Sequence, residues 1–212
     1  TSDTVWSLET LPPRLVVLGG GPIGCELSQA FARLGSQVTQ VEMGPQLMGR
    51  EDREGAEFVR KQVEQEGITV LTGHKAEKVL VDGDHKMLVC SRDGEEVRIA
   101  FDAILVAVGR RANSRGFGLE EVGVRFNPDG TLRTDARLRT DVPTIYGAGD
   151  VVGPYQFTHV ASHQAWYAAV NALFGSLKGF AVDYRVIPWA TYTDPEVARV
   201  GLNEMEAKEQ EI

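Results

Sequence analysis

Three glycines and one carboxylate carry the first legible chemistry of this chain. In "RLVVLGGGPIGCELSQAFARLGSQVTQVE", Gly19, Gly21 and Gly24 form the spacing G-x-G-x-x-G, and Glu42 follows about twenty residues on. The glycines serve separate purposes. The first permits a tight turn out of a strand, the second lets backbone approach a pyrophosphate, and the third lets helix and strand pack closely. Gly20, Pro22 and Ile23 complete the turn. The phosphates would rest against free N–H groups and the positive end of the helix dipole. Glu42 would accept hydrogen bonds from the adenosine ribose hydroxyls, which favours NAD(H) and repels the 2′-phosphate of NADP(H). On the letters alone, a glycine-rich turn without a ligand is an equal reading. The apolar run before the turn, the helix after it and the carboxylate beyond decide for a dinucleotide.

Other reactive side chains carry less. His159 and His163 lie four apart on an expected helix, where they share a face as paired metal ligands do. No carboxylate or cysteine at matching spacing completes a set, so no metal is expected. Cys25 follows Gly24 at a helix start, where the dipole could lower a thiol pKa, but a small buried residue suits the position better. Cys90 lies in another element, so the two cysteines form neither a disulfide framework nor a CxxC pair. The cluster "AWYAAV" reads as core or interface rather than as a binding platform.

The elements that must position these residues follow from periodicity. Leu15 to Leu18 is a short continuous apolar run, as in a strand buried on both faces. Ile23, Leu27, Ala30, Phe31 and Leu34 recur at helical spacing until Gly35. Gln37 to Val41 predicts a second strand, Glu51 to Glu66 a polar helix ended by Gly67, and "ITVLTG" a third strand, making a βαβαβ unit. From Glu77 to Phe101, β-rich runs broken by "DGD" and "RDG" predict a three-stranded antiparallel meander. "AILVAVGRRAN" returns to a buried strand. The stretch to about Thr140 is loop-rich with one hairpin, "TIYGAGD" predicts another strand, Val160 to Leu173 a helix, and "PWATYTDPEVARVGL" two further β-like runs.

Composition bounds the class. The chain has 212 residues, 25% of them charged and 42% hydrophobic, which is the balance of a soluble globular protein rather than a disordered one. A net charge of −8 argues against nucleic acid or an anionic membrane as the main partner. No apolar run reaches the roughly eighteen residues of a membrane span, and "TSDTVWSLETLPP" lacks the order of a signal peptide. With two cysteines, the expected setting is reducing and cytoplasmic. The polar opening without a methionine is expected of an internal fragment.

Taken together, "GGGPIGCE", "VGRRAN", "TDVPTIYGAGDV", "QFTHVASHQA" and "TYTDPEVARVGL" resemble, in order and separation, the class I pyridine nucleotide-disulfide oxidoreductases, flavoproteins of the dihydrolipoamide dehydrogenase and mercuric reductase kind. The resemblance covers nearly the whole chain. It implies an α/β fold: a Rossmann-like NAD(H)-binding domain with its meander over residues 11–111, the C-terminal part of an FAD-binding domain over 112–182, and the start of an α+β dimerisation domain over 183–212. It also implies that Glu26 lies beside the nicotinamide and flavin, that Gly109 closes over the nicotinamide ribose, and that Ala76 lies near the adenine. Asp150 would hold the FAD ribityl chain, and Gln156, Phe157, Thr158 and His159 would present backbone N–H groups and a helix end to the flavin.

The implied activity passes hydride from NADH to FAD and electrons on to a disulfide or related acceptor, in a homodimer without nucleic-acid or membrane partners. The alternatives are an NADH-dependent flavoprotein lacking the redox disulfide, of the oxidase or assembly-factor type, and an NAD-sensing module. Pro22 stands where some relatives carry an aromatic gate, and Ala112 where proline is usual. A first G-x-G-x-x-G for FAD, a CxxxxC pair and a His-Glu pair are all missing from the chain, which is therefore expected to be inactive by itself.

Overall fold

The computed structural model describes residues 1 and 3–212, which divide into two compact units: Thr1–Gly109 with Ala190–Ile212, and Arg110–Trp189. The first unit runs β1 (Arg14–Leu18), α1 (Pro22–Leu34), β2 (Gln37–Glu42), α2 (Arg53–Gln65), β3 (Thr69–Thr72), β4 (Lys75–Asp82), β5 (His85–Arg92), β6 (Glu95–Phe101) and β7 (Ala103–Val106). β1 pairs in parallel with β2 and β7, and β2 with β3, giving the order β3-β2-β1-β7. Side chains of a strand alternate between its faces. Leu15 and Val17 therefore join Cys25, Val59 and Val63 in a core on the helical side, while Val16 joins Val41, Leu88, Cys90 and Phe101 on the other. A strand covered on both faces needs no polar alternation, which is why its sequence is an unbroken apolar run.

Pro22 opens α1, where its missing N–H costs nothing and its fixed φ suits the helix. Helix α2 turns Ala56, Val59 and Val63 inward at helical spacing. Each fully buried valine there contributes about 1.5–3 kcal/mol. Strands β4, β5 and β6 form the antiparallel meander, and Asp93 and Gly94, both at positive φ, make the two-residue turn between its last two strands. β4 is the meander's edge, exposed along its whole length, with a register shift between Ala76 and Lys78.

The second unit holds α3 (Thr158–Phe174) and long irregular stretches. The expected hairpin is a single bridge between Phe126 and Leu132. "TIYGAGD" departs from its expectation as a strand. Tyr146 makes one bridge to Arg139, with Gly147 N–H on Leu138 O and Thr140 N–H on Ile145 O, and Gly149–Val151 form a 3-10 turn. A strand needs a ladder of neighbours, and this stretch is paired over only a few residues. β8 (Pro188–Thr191) pairs with β9 (Val197–Val200), and α4 (Glu204–Glu209) follows, started by a capping box between Asn203 and Glu206. Trp166, in "AWYAAV", is about half exposed (54%), so that cluster is not core.

Candidate nucleotide-binding site

The turn from β1 into α1 is built by its glycines in distinct ways. Gly19 has φ 111°, and a Cβ there would stand 2.4 Å from the carbonyl oxygen of Ala107, just past the end of β7. A Cβ on Gly24 would stand 2.1 Å from Gly19 O, so helix and strand touch only because it is absent. At Gly21 a Cβ would meet nothing within 4 Å. Gly21 is the N-cap of α1, and no side chain caps the helix. The first-turn N–H groups, Ile23 and Gly24 among them, thus have no capping acceptor, the arrangement that suits an anion.

Glu42, at the end of β2, is joined to that turn directly. Its Oε2 accepts the Gly20 N–H at 2.5 Å, its Oε1 the Gly44 N–H at 2.5 Å, and its own carbonyl the His74 N–H at 3.0 Å. Two backbone donors fix the carboxylate beside the glycines, and each oxygen keeps a further lone pair for a hydroxyl. Ala76, two residues beyond His74, is exposed on β4, and Gly109 is exposed beyond β7 at φ 137°. Sequence reasoning missed the loop after β2, where buried Leu47 and Met48 pack under the turn and the Met48 N–H donates to Gly20 O at 2.6 Å. It also missed Gln40, wholly buried on β2, whose Nε2 donates to Gly19 O at 3.0 Å.

Glu26 lies half-buried on the second turn of α1 and accepts the Tyr192 N–H at 2.9 Å. Three residues on, Gln29 accepts the Asp194 N–H at 2.7 Å and donates to Asp194 O at 2.8 Å. Arg33 bridges Asp194 and Glu66, both at 2.8 Å. Helical spacing places the three side chains on one face, so α1 carries the glycine turn at its start and the returning Tyr192–Asp194 segment along its side. Arg33, with Gln29, holds the Glu66 carboxyl below its ordinary value.

The remaining expected residues lie in the second unit. Arg110 donates through Nη1 to Asp150 Oδ2 at 3.2 Å and to Gln156 O at 3.0 Å, so one guanidinium ties the Asp150 carboxylate to the turn ahead of α3. Phe157 is the N-cap of α3, again without a side-chain cap, and its ring stacks with His159 and Trp189. Thr158 begins the helix. Buried Gln164 holds the loop that carries Asp150, accepting the Gly149 N–H at 2.6 Å and donating to Gly153 O at 2.7 Å. His159 and His163 each donate through Nε2 to a carbonyl, of Pro188 and Asp183. Among the described residues, no group of three or more His, Cys, Asp or Glu could hold a metal ion. Burial pushes the Cys25 thiol up to about 11, against the hydrogen bond from Gln40, so this cysteine is an inert core residue. No helix among the described residues is long and apolar enough to cross a membrane.

A family model for the pyridine nucleotide-disulphide oxidoreductases matches residues 1–165. The dihydrolipoyl dehydrogenase of Thermus scotoductus is 43% identical over 203 residues, 94% of this chain and 43% of the relative. That of Bacillus subtilis is 36% identical over 207 residues, 98% of this chain and 44% of its own. Among solved structures, the Cu(II) complex of the flavoprotein disulfide reductase RclA from Escherichia coli superposes with a TM-score of 0.86 at 30% identity, covering 98% of this chain and 47% of that one. LpdA of Mycobacterium tuberculosis gives 0.86 at 27% identity, covering 98% and 44%. The chain thus spans less than half the length of these relatives.

Proposed function

Since this chain belongs to the pyridine nucleotide-disulphide oxidoreductase family, we propose that it is the NAD(H)-binding and flavin-contacting portion of an FAD-dependent enzyme. Residues 11–111 are the NAD(H) domain, 112–182 the C-terminal part of the FAD domain, and 183–212 the start of an α+β domain through which the intact protein pairs with a second copy. When bound, NADH and FAD would supply hydride transfer, with electrons delivered to a disulfide or a related small acceptor. This chain's residues bind and orient. Gly19 to Gly24 and the uncapped start of α1 take the pyrophosphate, Glu42 the adenosine ribose, Ala76 the adenine side and Gly109 the nicotinamide ribose. Glu26 orients the nicotinamide, with one carboxylate oxygen already held by the Tyr192 N–H. Asp150 and the turn from Gln156 to His159 take the flavin's ribityl and pyrimidine sides. The disulfide reductase RclA and the dihydrolipoyl dehydrogenases, similar along nearly the whole chain, support this reading.

The single observation that carries the proposal is the open space at Gly21, above an uncapped helix start and beside a carboxylate fixed by two backbone donors. Charge-assisted bonds from ribose to Glu42 are worth about 1.5–3 kcal/mol, and a 2′-phosphate set against it would cost up to about 4 kcal/mol at an effective dielectric near 20. Calorimetric titration of the chain should therefore show NADH binding at least about tenfold more tightly than NADPH. Equal affinities, or tighter NADPH, would overturn the role of Glu42.

A further inference from the structure

We propose that Gln40 is a positioning residue for the dinucleotide: together with Glu42 it clamps the Gly19–Gly20 peptide, so that the turn's N–H groups stand preset for a pyrophosphate. The inference rests on the NAD(H) reading above. A trans peptide is planar, with its C=O and N–H pointing in opposite directions. Here the carbonyl end, Gly19 O, accepts from Gln40 Nε2 at 3.0 Å, and the N–H end, on Gly20, donates to Glu42 Oε2 at 2.5 Å. Gln40 and Glu42 are two apart on β2 and so project from the same face, the one on which Val38 enters the helix-side core. One strand therefore grips one peptide at both ends.

The grip extends to the next peptide. Gly20 O accepts the Met48 N–H at 2.6 Å and the Cys25 thiol at 3.4 Å, which leaves the Gly21 N–H pointing the opposite way within that peptide plane. Gly24 makes room for the arrangement, because a Cβ there would come within 3.3 Å of Gln40 Nε2 as well as striking Gly19 O.

The orientation of the amide is settled by its partners. Both N–H bonds of Nε2 are used, on Gly19 O and on the Cys25 sulfur at 3.5 Å, and reversing the amide would set two oxygens against each other. Its Oε1 is buried and has no hydrogen-bond partner among the described residues. An apolar side chain would remove that unmet acceptor but leave buried Gly19 O without the donor it has in Gln40. With one unmet acceptor set against another, what distinguishes a glutamine here is that it holds the turn.

In the 212-residue chain, Gln40→Met keeps the length of the side chain and removes both donors. Binding of NADH, ADP and adenosine is compared by calorimetry and by NMR titration. NADH and ADP should bind about tenfold more weakly than to the wild type, the loss of roughly one hydrogen bond's net worth. Adenosine, which has no phosphate, should bind within about twofold of the wild type, and the denaturation midpoint should change little, one unmet buried acceptor replacing another. Gln40→Leu, apolar and shorter, is the second variant and should show the same selectivity. ADP binding unaltered in both variants, or an equal loss for adenosine and ADP, overturns the assignment. A wild-type chain that binds no NADH defeats the NAD(H) reading itself and is recognised before any variant is made.

Discussion

A methyl group added at position 24 and one added at position 21 should have different consequences. At Gly24 the new carbon would stand 2.1 Å from Gly19 O, and neither the helix nor the strand can yield without breaking the contacts below the turn. Gly24→Ala should therefore cost about 3 kcal/mol, the upper end of overpacking, and lose NADH binding with the fold. At Gly21 the φ of −72° suits alanine and the space is empty, so Gly21→Ala should stay within about 1 kcal/mol of the wild type. Its methyl would occupy the volume the pyrophosphate needs, so NADH affinity should still fall at least about tenfold. Urea denaturation and calorimetry on the two variants separate stability from binding. If Gly21→Ala bound NADH as well as the wild type, the phosphates could not lie there.

At the scale of elements, α1 is a beam loaded on two sides. Its start is the glycine turn, and Glu26, Gln29 and Arg33 fasten the Tyr192–Asp194 segment along its flank. Glu66, which anchors Arg33, has a depressed pKa, so the stability it lends is present above its ordinary carboxylate range and is lost as pH falls through the depressed value. These ion pairs are partly solvated and modest. Hydrogen exchange at the Tyr192 and Asp194 amides should accordingly accelerate as pH falls below the ordinary carboxylate range, ahead of the parallel sheet. Gln29→Ala should bring that acceleration to neutral pH. Simultaneous release of segment and sheet at every pH would argue against a separate fastening.

Elements of this kind also show where the sequence is legible. The glycine turn, the parallel strands and the meander could be read because glycine spacing, apolar runs and "RDG" each answer to a local rule. Gln29, Gln40, Gln164 and Asn171 could not, since all four are buried amides that satisfy loop backbone far away in sequence. The available signal was position: Gln40 falls two residues after inward-facing Val38, and Gln164 and Asn171 fall four and eleven residues after buried Val160 on α3. "TIYGAGD" misled for the converse reason, because strand-like residues cannot make a strand without neighbours. Arg110, which joins Asp150 to the α3 turn, is a residue whose partners only folding reveals.

For the molecule as a whole, the two candidate cofactor regions stand on different footings. The proposed NAD(H) contacts all fall within one contiguous stretch, whereas Asp150 and the Gln156–His159 turn would offer the flavin only its middle and one edge. The sequence contains one G-x-G-x-x-G, and Gly19 to Gly24 use it, so no glycine turn remains for an FAD adenylate. The purified chain should be colourless, bind NADH and fail to reduce a dye when FAD is added. A stoichiometric yellow flavin band in its visible spectrum would show that the flavin contacts suffice without that turn.

The shared beam has a further consequence for such binding experiments. Free energies around a closed cycle must sum to zero, so whatever factor NADH adds to the hold of α1 on Asp194, the docked segment must add to the hold of α1 on NADH. An affinity measured with Tyr192–Asp194 in place is a property of the helix and its return strap together. If NADH strengthens that hold, protection of the Asp194 amide, fastened on the face of α1 that also carries Glu26, rises with nucleotide concentration.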